Sequence, residues 1–458
     1  MDNKNITVNK IIEICNGRLL SGDESLEIES YSKDTRTLKK GDMYLGIRGE
    51  KINGNDYVEQ AFVNGAIGCI IDENVDTEIL NRYKEKVVIK VDDTIKAIQE
   101  LAKYKRSLYN VPVIAVTGSV GKTSTKDIIA NVLEQKFKVL KTEGNMNNHI
   151  GLPMTLLKLK DHTAVVVEMG MNHFGEISLL TNIAKPTECV ITNIGTSHIG
   201  NLGSRENILK AKLEILEGLD KSGFVLINND NDLLHEWAKE EKKYKIYTYG
   251  LENNSTYMVK KITTLENSSN FEINGIKGNV PVGGIHFVYN AICAFAIGDI
   301  LNVEKEKIIK GISEFKLTAK RMEIETIKNN IKVINDSYNA SYDSMKAALE
   351  VMQNTEAPRK IAILGDMLEL GEYSKELHEK VGEQVVKNKI DVLITIGKNA
   401  KNISNKAREL GMDKIYAFDN VNEAILNIEK IIKSKDLVLL KASNSMNFSK
   451  ILDELKRS

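Results

Sequence analysis

The eight residues Val116-Thr117-Gly118-Ser119-Val120-Gly121-Lys122-Thr123 lie between an apolar run and a helical stretch. Glycines let the backbone turn sharply and aim several N–H groups at one point, and the helix that follows adds its positive end. A lysine placed here reaches the β- and γ-phosphates of a nucleotide, and the Thr123 hydroxyl is a ligand for Mg²⁺. The chemistry this implies is binding and use of ATP. The longer phosphate-loop pattern has a glycine where this chain has Val116, so the loop is a shortened form. The plain alternative is a glycine turn joining strand to helix with an incidental Lys-Thr.

Two further residues could handle metal and charge. Glu168 ends the apolar run Ala164 to Val167. A carboxylate at the C-terminal end of a parallel strand stands where such sheets bind ligands, so Glu168 fits either an Mg²⁺ ligand opposite Thr123 or an ordinary solvent-facing strand end. His198, just past Thr192-Asn193-Ile194-Gly195, fits a second metal ligand or a satisfied loop histidine. Lys212, within Lys210-Ala211-Lys212-Leu213-Glu214, has the local character of a solvated helix face. The stretch Gly144-Asn145-Met146-Asn147-Asn148 is a polar loop suited to a polar ligand, or a turn cluster.

The elements that must position these groups fall into three regions with different rhythms. Residues 1–108 mix short strands (Asp42 to Ile47, Gly68 to Ile71, Val87 to Val91) with helical stretches at Tyr57 to Asn64 and Thr94 to Tyr109. Residues 109–314 alternate buried strands (Val113 to Val116, Ala164 to Val167, Cys189 to Thr192, Phe224 to Ile227) with loops and helices. That alternation predicts a parallel sheet flanked by helices, a central ATPase domain of phosphate-loop type. Residues 315–458 repeat the rhythm, with strands at Ile331 to Asn335, Ile361 to Leu364, Val392 to Ile396, Ile415 to Phe418 and Leu437 to Leu440. An open doubly wound sheet of dinucleotide-fold type is expected there. The fold class is α/β in three domains.

A chain of 458 residues is too long for one core, and 42% hydrophobic with 28% charged residues is the profile of a globular enzyme. Basic and acidic residues balance at 63 each, which removes the electrostatic case for nucleic-acid binding. No apolar run has the length of a membrane span, and Met1-Asp2-Asn3-Lys4 opens no apolar signal core, so integral membrane contact is not expected. Cys15, Cys69, Cys189 and Cys293 lack metal-ligand spacing and read as buried free thiols in a reducing cytoplasm.

Taken together, these motifs resemble the Mur ligase family, the ATP-dependent amide-forming enzymes of peptidoglycan precursor synthesis. The resemblance rests on Thr117 to Thr123, Gly144 to Asn148, Glu168-Met169-Gly170, Thr192 to Gly195 with His198, and Ala211-Lys212. His286 with Asn290, Arg321-Met322-Glu323 and Asp336-Ser337-Tyr338-Asn339 continue it in the same order. Gly365-Asp366-Met367-Leu368-Glu369-Leu370-Gly371 is similar to the member that joins D-alanyl-D-alanine to UDP-N-acetylmuramoyl-tripeptide, and Asp34-Thr35-Arg36, followed by Gly41-Asp42 and Gly49-Glu50, resembles the UDP-substrate-binding domain shared with the preceding enzyme of the pathway.

The resemblance implies roles. Lys122 and its loop bind the ATP phosphates, Thr123 and Glu168 hold one Mg²⁺, and His198 with Lys212 holds a second, the lysine as a CO₂-derived carbamate. Asn290 meets adenine, Arg321 the γ-phosphate and Asp336 the ribose. Thr35, Arg36, Asn145, Asn148, Tyr338 and Asn339 contact substrate. Two departures stand out: Ser341-Tyr342 where the family has Asn-Pro, and Lys441-Ala442-Ser443-Asn444 where it has Lys-Gly-Ser-Arg. The implied product is a cytoplasmic, monomeric ligase acting through an acyl phosphate. The alternatives are a sibling ligase that adds one amino acid, a phosphate-loop ATPase or kinase without ligation, and a UDP-sugar-binding protein without catalysis.

Overall fold

The computed structural model describes residues 4–457; Met1 to Asn3, part of the stretch read for a signal core, lie outside them. The chain forms two compact units, one from residues up to 116 with 137–190 and 213–224, the other from 117–136, 191–212 and 225 onward. Among the described residues no helix is long and apolar enough to cross a membrane.

In the first unit, strands Val87–Lys90, Gly68–Ile71, Met43–Leu45 and Tyr31–Ser32 run parallel in that order, with Arg18–Ser21 antiparallel at the Val87–Lys90 edge. Helix Val58–Val63 packs Val58, Ala61 and Phe62 on Tyr44, Cys69 and Val88. The edge strand and a two-residue ribbon, Ile6–Thr7 against Glu27–Ile28, were not expected. Strands this short or half-exposed carry no apolar run to betray them.

Helix Thr94–Ser107 starts at Asp93, whose side chain accepts from the Lys96 N–H, and buries Ile98, Leu101 and Ala102. Near its end the buried Arg106 guanidinium donates to the carbonyls of Ala184, Tyr109 and Lys185 at 2.9, 2.6 and 3.1 Å. It thereby satisfies carbonyls left open at the end of helix Glu176–Ala184. Strands Glu188–Ile191, Val113–Thr117, Ala164–Glu168 and Val139–Lys141 are neighbours in that order, the last three pairing in parallel. Their apolar runs are buried throughout, as two covered faces require.

In the second unit, helix Lys122–Glu134 lies against Ile285–Ile300 and Lys305–Ser313. Gly298 and Gly311 permit this approach, since a Cβ on either would fall within 2.7 Å of Val132. Strands Tyr257–Thr264, Ser269–Ile273 and Ile276–Val280 form an antiparallel meander, a correction to the all-parallel expectation for residues 109–314. Its hairpin turns at Asn274-Gly275, both with positive φ (50° and 78°), the two-residue turn that matches strand twist.

The C-terminal sheet has the order Glu323–Thr326, Lys332–Asn335, Leu437–Lys441, Lys360–Gly365, Val392–Ile396, Ile415–Phe418. All pairings are parallel except the first, an edge strand the sequence reading left out. Cys69, Cys189 and Cys293 are buried free thiols, whereas Cys15 is only half-buried.

Candidate active site

The phosphate loop leaves strand Val113–Thr117 and enters helix Lys122–Glu134 through two glycines with positive φ, 152° at Gly118 and 83° at Gly121. A Cβ on Gly118 would lie 1.9 Å from Thr192 Oγ1. Neighbouring side chains hold the loop on one side. Asn193 Oδ1 accepts from the N–H groups of Ser119 (3.1 Å) and Val120 (2.9 Å), and Asn193 Nδ2 donates to the Val120 carbonyl at 3.1 Å. The Thr192 hydroxyl donates to that same carbonyl at 2.8 Å, and the Gly195 N–H donates to Ser119 Oγ at 2.9 Å. Two of the loop N–H groups expected to face phosphate are thus engaged by Asn193. That residue sat in the motif Thr192 to Gly195, but its neutral amide gave no sign of a task.

Cations converge on this loop. Lys122 Nζ donates to the Gly118 carbonyl at 2.8 Å. Lys212, expected on local character to face solvent, is 1% exposed. Burial holds its ammonium form well below lysine's ordinary range, and Lys122 pushes the same way. A neutral amine is the form that attacks CO₂, and a carbamate there would balance the Lys122 cation with an anion. Arg321 donates through Nη2 to Thr123 Oγ1 at 2.9 Å, and its guanidinium lies 3.9 Å from the Tyr338 ring centre. Its Nε is buried with no hydrogen-bond partner among the described residues. A buried guanidinium donor without an acceptor fits an absent anionic oxygen such as that of a phosphate.

Asn290 accepts the Thr125 hydroxyl at 3.0 Å and lies beside Gly121, so its amide nitrogen is the end able to donate to a base. Asp336 accepts the Met322 N–H at 3.1 Å and pairs with the buried Lys441, which also donates to the Asn339 carbonyl at 3.1 Å. Lys441, like Ser443, survives from the motif whose second and fourth positions depart from the family. Beside this pair His286 is half-buried, and desolvation of its ring pushes its pKa down to about 4.

His198 has φ +65° at the start of the short helix Ile199–Leu202. Its Nδ1 lies 2.6 Å from Glu369 Oε2, out of line for a full hydrogen bond. The Gly200 N–H donates to the Glu369 carbonyl at 3.1 Å, and a Cβ on Gly200 would lie 2.4 Å from Gly371 N.

The remaining residues belong to the first unit. Glu168 is buried at its strand end, and Asn147 Nδ2 donates to Glu168 Oε1 at 2.7 Å. Asn148, by contrast, accepts from the Gly151 N–H at 2.8 Å and so shapes the turn, while Asn145 is exposed. Alternation of asparagines in the sequence could not tell which one turns toward Glu168. Arg36 is exposed and forms a two-pronged pair with Asp34 (2.9 and 2.6 Å). Its hydrogen bonds hold the Asp34 carboxyl down to about 2. The Thr35 carbonyl accepts from Asn64 Nδ2 at 2.8 Å.

No cluster of three or more His, Cys, Asp or Glu suited to a metal occurs among the described residues. A hydroxyl such as that of Thr123 and a carboxylate such as that of Glu168 are each the oxygen donor type Mg²⁺ prefers, whereas the Lys212 amine would suit it only as a carbamate.

Comparison with known proteins supplies the lineage. Residues 27–106 match the Mur ligase family catalytic domain, 116–298 the Mur ligase middle domain and 320–444 the Mur ligase glutamate ligase domain. The UDP-N-acetylmuramoyl-tripeptide--D-alanyl-D-alanine ligase of Bacillus subtilis (strain 168) is 38% identical over 458 residues, covering 99% of this chain and 98% of that one. The Synechocystis enzyme of the same name is 33% identical, covering 98% and 96%. Among solved structures, MurF from Acinetobacter baumannii superposes with a TM-score of 0.90 at 28% identity over 100% of both chains. MurF from Thermotoga maritima in complex with ADP reaches 0.80 at 25% identity, covering 94% of this chain and 97% of that one. The chain belongs to the Mur ligase family, in the branch of the UDP-N-acetylmuramoyl-tripeptide--D-alanyl-D-alanine ligases.

Proposed function

We propose that this chain joins D-alanyl-D-alanine to the tripeptide carboxylate of UDP-N-acetylmuramoyl-tripeptide, with ATP as the activating substrate. The observation that carries the chemistry is that Lys122 and Arg321 meet on one short loop, with the buried Arg321 Nε lacking a hydrogen-bond partner among the described residues. A carboxylate is a poor electrophile at neutral pH. Transfer of the γ-phosphoryl group to it gives an acyl phosphate; the dipeptide amine then attacks, and phosphate leaves from the tetrahedral intermediate. The chain's groups position and neutralise, as phosphoryl transfer requires.

In this reading Lys122 and the residues Thr117 to Thr123 grip the phosphates. Arg321 donates to the γ-phosphate, Asp336 orients the ribose and Asn290 meets adenine. Thr123 with Glu168, and His198 with carbamylated Lys212, would hold two Mg²⁺. Bound Mg²⁺ would neutralise charge that builds on the transferring group. Thr35 and Arg36 serve the UDP end, and Asn145, Asn148, Tyr338 and Asn339 the remaining substrate contacts. Asn147 joins them as the residue that orients Glu168. Domain limits at 1–108, 109–314 and 315–458 belong to the same reading. A monomer working in the cytoplasm completes the proposal.

Incubation with ATP, Mg²⁺, UDP-N-acetylmuramoyl-tripeptide and D-alanyl-D-alanine should yield the pentapeptide by mass, together with ADP and phosphate. Product from a single amino acid in place of the dipeptide would favour a sibling ligase. Phosphate release that ignores both carboxylate and amine would leave only an ATPase.

A further inference from the structure

We propose that Asp343 is a positioning residue for nucleotide binding, acting on the phosphate loop through Thr196. Asp343 stands in the first turn of helix Tyr342–Asn354. Its Oδ2 accepts two hydrogen bonds, from the Thr196 N–H at 2.8 Å and from Thr196 Oγ1 at 2.9 Å. Gly195 lies flush against the same carboxylate: a Cβ there would sit 2.4 Å from Oδ2. One residue earlier, the Ile194 carbonyl is gripped by Arg205 Nη2 at 2.8 Å and Asn231 Nδ2 at 3.1 Å. The segment 193–196 is therefore fixed at both ends, and its inward groups are those that hold the phosphate loop. Asn193 takes the Ser119 and Val120 N–H groups, and the Gly195 N–H takes Ser119 Oγ.

The direction of the Asp343 side chain has its own support. Ser341 caps the helix in a reciprocal box with Ser344: Ser341 Oγ accepts from the Ser344 N–H at 3.4 Å, and the Ser341 N–H donates to Ser344 Oγ at 3.0 Å. Ser341-Tyr342 is where the sequence departs from the family's Asn-Pro. That departure still builds a helix start, and the helix start presents the carboxylate. A charged acceptor taking two hydrogen bonds holds its partner more firmly than neutral pairs do.

The inference rests on the reading of Thr117 to Thr123 as the ATP phosphate grip, and the test separates the two. Binding of a fluorescent ATP analogue with Mg²⁺ to the full chain is measured for Asp343→Ala, Thr196→Val, their double variant and Lys122→Ala. Asp343→Ala should weaken the analogue about tenfold. The KM for ATP should rise more than kcat falls, and the affinity for UDP-N-acetylmuramoyl-tripeptide alone should stay at the parent value. Asp343→Asn, which keeps an acceptor oxygen, should recover part of the loss. In the Thr196→Val background Asp343→Ala should cost much less than in the parent. Parent-like affinity in Asp343→Ala, or losses that simply add, would overturn the proposal. Should Asp343→Ala fail to fold, Gly195→Ala presses on the same carboxylate from the other side and should give the same tenfold loss; parent-like affinity there overturns the proposal equally. If Lys122→Ala binds the analogue as the parent does, it is the phosphate-grip reading that falls.

Discussion

The phosphate loop and the Asp34-Thr35-Arg36 turn are both short polar segments that follow parallel strands, yet they are held in opposite ways. The loop is gripped by Thr192, Asn193 and Gly195, residues more than seventy positions away in sequence. The turn is held mainly by itself: Arg36 pairs with Asp34 two residues back and stays exposed. The first is built before any ligand arrives, and its geometry depends on distant packing. The second presents a guanidinium whose partner can be exchanged for a ligand's anion at small cost. On the proposed roles, pre-organisation would be concentrated where charge builds up in the reaction, and adaptability where a substrate handle is caught.

The largest effect expected of this contrast lies in the cations of the loop. Lys122→Ala and Lys212→Ala should each lower ligation by about a thousandfold or more in a pentapeptide assay. Only Lys212→Ala should regain activity with added formate or acetate, because a small carboxylate can stand where the carbamate would. Full activity in Lys212→Ala would remove that role.

Backbone substitutions probe the contrast next. Gly118→Ala sets a methyl 1.9 Å from Thr192 Oγ1 at φ 152°, and should cost about 3 kcal/mol in thermal or urea unfolding. Gly41→Ala, near the Arg36 turn, has φ 93° but nothing within 4 Å of the new Cβ, and should cost only about 1 kcal/mol. Equal costs would mean that the two segments are equally constrained. Arg36→Ala should raise KM for the UDP-substrate about tenfold and leave KM for ATP unchanged.

The smallest effect is one of pH. The folded chain resists the proton that Lys212 holds in the unfolded chain, so Lys212 lowers stability as pH falls below lysine's ordinary 10.5 and not above it. Lys212→Met in CO₂-free buffer should therefore melt higher than the parent at pH 7. The gap should close as pH rises toward 10.5. A gap that stays constant with pH would show that packing, not charge, is responsible.

Much of this was legible in the residues. Parallel strands buried on both faces announce themselves as apolar runs, and Val392–Ile396 matches its expected limits, as does the half-exposed edge strand Ile415–Phe418. The phosphate loop was legible because its chemistry is local. The meander Tyr257–Val280 was missed although Asn274-Gly275 marks its turn, since its strands alternate with exposed charge instead of forming runs. Lys212 was opaque for a different reason. Its helix carries polar residues on all sides, and only tertiary packing decides which one is enclosed. The tasks of Asn193 and Asp343 were equally hidden, because a neutral amide and a first-turn aspartate are ordinary until their partners are seen.

The backbone approach of Gly200 to Gly371 has a consequence for how such a chain can evolve. Most seams between elements can be retuned by trading one side chain for another, so drift on one side is answered on the other. Here there is no side chain to trade, and a single methyl on Gly200 would meet the nitrogen of Gly371 at 2.4 Å. A change at this seam can be met only by a shift of backbone, so the two glycines fix the spacing of the segments that carry His198 and Glu369.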